Sequence, residues 1–144
     1  DAGTAITTGD NNVAVGASAL DANTTGEDNV AIGKDALGAT TSGEDNIAIG
    51  SSALFTNTTG EDNIAIGKSA LYYNTGNSNT AVGKGALVQN TTASNNTGIG
   101  YNALFLNTEF KLCRFNRKLQ WNLHYRFVFY WYNITIHKTK KVKS

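Results

Sequence analysis

At 144 residues the chain has the length of one domain, yet its composition divides it in two. Residues 1–108 hold 10 Asp/Glu and 3 Lys, a net of −7, whereas residues 109–144 hold 9 Lys/Arg and one Glu, a net of +8. One Cys excludes an internal disulfide, no apolar run is long enough to span a bilayer, and no leader is visible, so the expectation is an internal piece of something longer.

In chain order, one phrase recurs. Gly16, Gly33, Gly50, Gly67, Gly83 and Gly100 each close an A-[VI]-G or G-I-G word, at spacings of 17, 17, 17, 16 and 17. Gly9, Gly26, Gly43, Gly60 and Gly76, with Ala93 in the sixth place, form a second ruler. The short interval falls at Asn74-Thr75-Gly76, where one Thr stands in place of two residues, so the indel sits in a loop while the core word stays in register.

A 17-residue period is too short for paired-helix repeats, which need more than about 30 residues, and suits one coil of a parallel β-solenoid. Each word predicts a strand. In Asn63-Ile64-Ala65-Ile66-Gly67, Ile64 and Ile66 share one face and Ala65 takes the other. Ser69-Ala70-Leu71 predicts a second short strand with its Leu inward, and Asn-Thr-Thr-Gly is turn chemistry. Identical residues then stack rung on rung, which predicts an amide ladder of Asn12, Asn29, Asn46, Asn63, Asn79 and Asn96. The few large apolar side chains per rung do not offset the ordering of the backbone, which favours lateral association with copies of the same chain.

At A-I-G followed by x-x-A-L, the phrase resembles the head repeats of YadA-like trimeric autotransporter adhesins, and similar repeats occur in phage tail-fibre-like proteins. The residues that carry the resemblance are Asn29 to Gly33, Asn46 to Gly50, Asn63 to Gly67, Thr80 to Gly83 and Thr97 to Gly100, within residues 3–107. It implies an all-β fold, a left-handed parallel β-roll of about six rungs, with three chains side by side. Such a head would be displayed at the cell surface or outer membrane, or on a virion, and would bind a host surface or extracellular-matrix ligand. The repeat here is longer than in the adhesin heads, and the stalk and membrane anchor are absent from this chain.

Other chemistries are weaker. Glu27-Asp28, Glu44-Asp45 and Glu61-Asp62 stack three acidic pairs, read as a solvated edge, with bridging Ca²⁺ as the metal alternative. Because the pairs repeat with the structure, none is special as a glycosidase dyad, and no catalytic residue, cofactor or nucleic-acid partner is expected. Thr24, Thr58 and their neighbours raise an ice-binding or purely structural monomeric solenoid. Their consecutive placement in a turn predicts that one of each pair faces away. Sequons at Asn23, Asn57, Asn90, Asn95 and Asn133 are what an Asn/Thr-rich repeat produces by composition.

The phrase stops after Asn107. Residues 108–144 lack Gly and are basic and aromatic. They read as a capping strand around Phe127–Tyr132, as a single-stranded nucleic-acid binder, or as a repeat translated in the wrong frame. The third reading is preferred. A shift of one base turns Trp121 and Trp131 into Gly and regenerates Thr-Gly and Ile-Gly words. DNA that continues the 17-residue repeat one base later would bear it out, and DNA with no repeat in any frame would sink it.

Overall fold

The computed structural model describes residues 1–107, and the readings of the tail at 108–144 lie outside the described residues. Six strands form one parallel sheet in sequence order: β1 (Val13–Val15), β2 (Val30–Ile32), β3 (Ile47–Ile49), β4 (Ile64–Ile66), β5 (Thr80–Val82) and β6 (Thr97–Ile99). The register is one repeat per strand, with Ala14 beside Ala31, Ala31 beside Ala48, and Ala48 beside Ala65. At β4–β5 the partner of Ala65 is Ala81, so the missing turn residue leaves the sheet in phase. The chain is a β-solenoid whose rungs are the sequence repeats.

Each rung has a small interior. The middle residue of each strand points in, and Ala31, Ala48, Ala65 and Ala81 are fully buried. Facing them are Ala19, Ala36, Ala53, Ala70 and Ala86, each followed by a fully buried Leu. Two Ala and one Leu make up the apolar part of each cross-section, and the larger strand residues are turned outward. The alternation was legible as large against small, but it is the small side chain that takes the core.

The predicted second strand at Ser69-Ala70-Leu71 is corrected: its Leu is buried as expected, yet the segment is a run of turns. Ser69 and Leu71 have φ of 57° and 51°, and the same pair recurs at Ser18 and Leu20, and at Ser52 and Leu54. Two left-handed residues flanking one Ala bend the chain back across the rung, which an extended strand does not do. A left-handed Leu costs on the order of 1–3 kcal/mol, and burial of its side chain is what this conformation secures.

Glycine is required where rungs touch. Gly50 has φ 135°, and a Cβ there would lie 2.6 Å from the Gly67 carbonyl carbon; Gly67 stands in the same relation to Gly83. The Gly column of the sequence is therefore a line of backbone-on-backbone contact between successive turns.

Candidate functional site

The predicted Asn column lies inside the solenoid. Asn46, Asn63, Asn79 and Asn96 each donate Nδ2 to the Oδ1 of the Asn one rung earlier, at 3.1–3.2 Å. Their backbone N–H groups donate to the same oxygens at 2.9–3.1 Å. Nδ2 also reaches forward: Asn29 to the Gly43 carbonyl, Asn46 to Gly60, and Asn63 to Gly76, at 2.8–2.9 Å. One amide thus joins three rungs. Its role is structural, and it presents nothing to a ligand.

A second ladder went unread in the sequence. Asn74 donates to Asn57 Oδ1, Asn90 to Asn74 Oδ1, and Asn107 to Asn90 Oδ1, while Thr40 bonds to the Asn57 carbonyl in the rank where Asn is missing. Its members are buried, including the sequon residues Asn23, Asn57 and Asn90, so folded protein offers those three amides to no glycosyltransferase. The two ladders meet at the last two rungs, where Asn79 Nδ2 donates to Asn74 Oδ1 at 3.1 Å and Asn96 Nδ2 to Asn90 Oδ1 at 3.3 Å. The N-T-T-G word reads as a turn, and it is one. The signal for the ladder was that Asn recurs at its head with the period of the first.

Function must therefore come from the outside. Glu27, Asp28, Glu44, Asp45, Glu61 and Asp62 are all exposed, just before β2, β3 and β4. Among the described residues no three His, Cys, Asp or Glu side chains come together to hold a metal ion. The Thr expectation is corrected: Thr24 and Thr25 are both exposed, as are Thr58 and Thr59, because the bend splays neighbours to the outside. The hydroxyls of Thr7, Thr24 and Thr41 each donate to the carbonyl one rung on, at 2.9–3.2 Å.

The strand face carries an apolar stripe. Val15, Ile32, Ile49 and Ile99 stand 36–55% exposed in one rank, and Val30, Ile47 and Ile64 are half-buried in the rank beside it. With about 4.8 Å between strands, the ranks run roughly 24 Å along the axis. The stripe has two unlike margins. Each acidic pair precedes its strand, whereas Lys34, Lys68 and Lys84, all exposed, follow β2, β4 and β5.

A second outer surface departs from the repeat. The position after the core Leu reads Asp21, Gly38, Phe55, Tyr72, Val88 and Phe105, so aromatic residues enter at the third rung. Phe55 and Tyr72 stack with centroids 5.3 Å apart and planes at 24°, and Tyr73 meets Tyr72 edge-on at 4.6 Å. These residues carry no periodic signal in the sequence, because they depart from the repeat. Set against protein-family models, curated proteins and solved structures, the chain matches none of them.

Proposed function

We propose that this chain is the head segment of a surface-displayed adhesin, whose copies pack side by side through the β1–β6 face and present their other faces to a host ligand. The observation that carries the reading is the outward Val/Ile stripe. A soluble single chain has little reason to keep a rank of large aliphatic residues exposed along the sheet, with a half-buried rank beside it over β2 to β4, while its interior is built mainly of Ala, Leu and Asn.

The margins support the arrangement. In copies packed with parallel axes about a cyclic symmetry axis, the Lys margin of one chain meets the acidic margin of the next. In copies packed antiparallel and face to face, like charges meet. Parallel packing therefore pairs Lys34, Lys68 and Lys84 with the Glu27–Asp62 rank, and a trimer closes the three stripes around one axis. A viral fibre uses the same geometry, so the tail-fibre reading shares this support.

Light scattering on a sizing column tests it. The full chain is expected to elute at three times its 15.3 kDa mass. Its association should weaken only modestly with salt, since exposed ion pairs contribute roughly 0–1 kcal/mol each and the stripe supplies the rest. A stable folded monomer would remove the trimeric adhesin.

The second reading, a monomeric ice-binding solenoid, draws on the double rank of exposed Thr. It leaves the apolar stripe unexplained, and its second rank is broken at Gly76. Thermal hysteresis in the monomer would favour it.

A further inference from the structure

We propose that the solenoid opens reversibly from its first two rungs, at a boundary set by Thr40, while rungs three to six stay folded as one unit. Counted from one turn to the next, the rungs are residues 7–23, 24–40, 41–57, 58–74, 75–90 and 91–107. In a stack of repeats each rung is held only by its neighbours, so local stability follows the contacts at each junction. The backbone ladder is even along the stack: Val13 N to the Asn29 carbonyl and Thr80 N to the Asn96 carbonyl are both 2.8 Å. The side-chain ties are not even, and two separate sets of them change at the same place.

The first set is the second Asn ladder. From the third rung on, every junction carries one of its amide bonds. Asn74 Nδ2 donates to Asn57 Oδ1 at 3.3 Å, Asn90 to Asn74 at 2.9 Å, and Asn107 to Asn90 at 2.9 Å. Before the third rung this ladder makes no amide-to-amide bond among the described residues. Asn23 closes its own turn, its Nδ2 donating to the Gly26 carbonyl and its Oδ1 accepting from the Gly26 N–H. On the second rung Thr40 holds the rank, and its hydroxyl donates to the Asn57 carbonyl at 2.6 Å. The first ladder thins toward the same end. Its amide-to-amide bonds run from Asn96 back to Asn29, whereas Asn12 is tied through the Asn29 backbone N–H and the Gly26 carbonyl.

The second set is the outer column beside the core Leu. It reads Phe55, Tyr72, Val88 and Phe105 on rungs three to six, all apolar, but Asp21 and Gly38 on the first two. Phe55 and Tyr72 stack across the junction of rungs three and four, and Val88 on the fifth rung is buried. Toward the second rung Phe55 lies against Gly38, which has no side chain to pack on it. Amide ties and apolar packing therefore both begin at rung three. Each missing amide bond shifts an opening equilibrium by roughly fivefold. Opening the first two rungs frees the edge of β3 and keeps the four-rung stack, so the chain lengthens under load before the fold is lost. The device depends neither on the adhesin reading nor on association of copies.

Native-state hydrogen exchange of the full chain under rising denaturant tests the proposal. The amides of Val13 and Leu20 report the junction of rungs one and two, and those of Val30 and Leu37 that of rungs two and three. Ile47, Ile64, Leu71 and Leu87, each bonded to a carbonyl one rung on, report the rest. The last four are expected to share one opening equilibrium. Val13 and Leu20 should exchange fastest, at least about twentyfold above that set, with Val30 and Leu37 between them. Thr40→Asn follows the repeat and restores two amide bonds, to Asn23 and from Asn57, for one hydroxyl bond lost. It should slow exchange in the first two rungs by about fivefold and leave the last four amides unchanged. Equal protection along the stack would overturn the proposal. Exchange at Leu87 as fast as at Leu20 would do the same, since it would mean ordinary fraying from both ends. If Thr40→Asn slows no amide, or slows all of them alike, the boundary is not set by Thr40.

Discussion

Asn46→Ala is expected to lower the stability of the described solenoid by on the order of 3–5 kcal/mol, a large share of what a small domain possesses. The Asn46 amide donates to Asn29 Oδ1 and to the Gly60 carbonyl, and its oxygen accepts from the N–H and Nδ2 of Asn63. Truncation leaves the Asn63 N–H buried without its acceptor and opens a cavity between rungs that cannot close, because the Gly column already holds them in contact. Asn12→Ala should cost clearly less, since Asn12 is part-buried at the first rung and bonds only forward, to Gly26 and Asn29. Asn46→Asp carries a further sign. Burial among acceptors favours the neutral acid, so the folded form holds its proton at a higher pH than the unfolded chain. The deficit is then greatest at neutral pH and narrows as the pH falls toward the ordinary carboxylate range. Denaturant midpoints across the three variants and pH decide it, and equal costs at Asn46 and Asn12 would remove the ladder as the main tie between rungs.

The parts of this fold that were legible are those where one residue type answers one physical demand. Gly at the strand's end is demanded by backbone contact between rungs, and Asn before the strand by buried donors and acceptors that neighbouring turns present at the same place. Both demands recur every rung, so period alone reveals them. The turn at Ser69–Leu71 was not legible, because nothing in a Leu announces a positive φ, and Ser-Ala-Leu is equally good strand chemistry. The second ladder was hidden by a competing local explanation: Asn at the head of Asn-Thr-Thr-Gly makes the turn and, with the same side chain, the buried bond to the next rung.

The candidate sites divide the same way. Stacked carboxylates were visible as a pattern, yet without a third ligand they remain an exposed acidic margin. The aromatic column was visible only as a deviation, at Phe55 and Tyr72 where earlier rungs have Asp21 and Gly38. In a repeat, what recurs is mainly what stacking needs, so a ligand site is better sought where the phrase changes. The apolar stripe is the exception. In the packing proposed above it recurs because a second copy, itself a repeat, would impose the same demand on every rung.

Ile49→Lys takes that demand away at its centre. Ile49 stands 36% exposed between Ile32 and Ile66, its side chain outside the Ala and Leu interior. In a single chain the substitution replaces one exposed side chain by another and leaves the rung intact. In a trimer closed about the stripe, it brings three ammonium groups into an apolar seam with no carboxylate among its residues, since the acidic pairs lie at the margin. Association is expected to fall by more than about a hundredfold, so that the scattering mass drops from three chains to one. Thermal stability should then lose its dependence on protein concentration. Tyr73→Lys, on the surface that the proposed packing leaves outside, should leave the mass unchanged. If Ile49→Lys remains trimeric while Tyr73→Lys dissociates, the copies meet through the aromatic column instead. The strand stripe would then be the surface offered to the ligand.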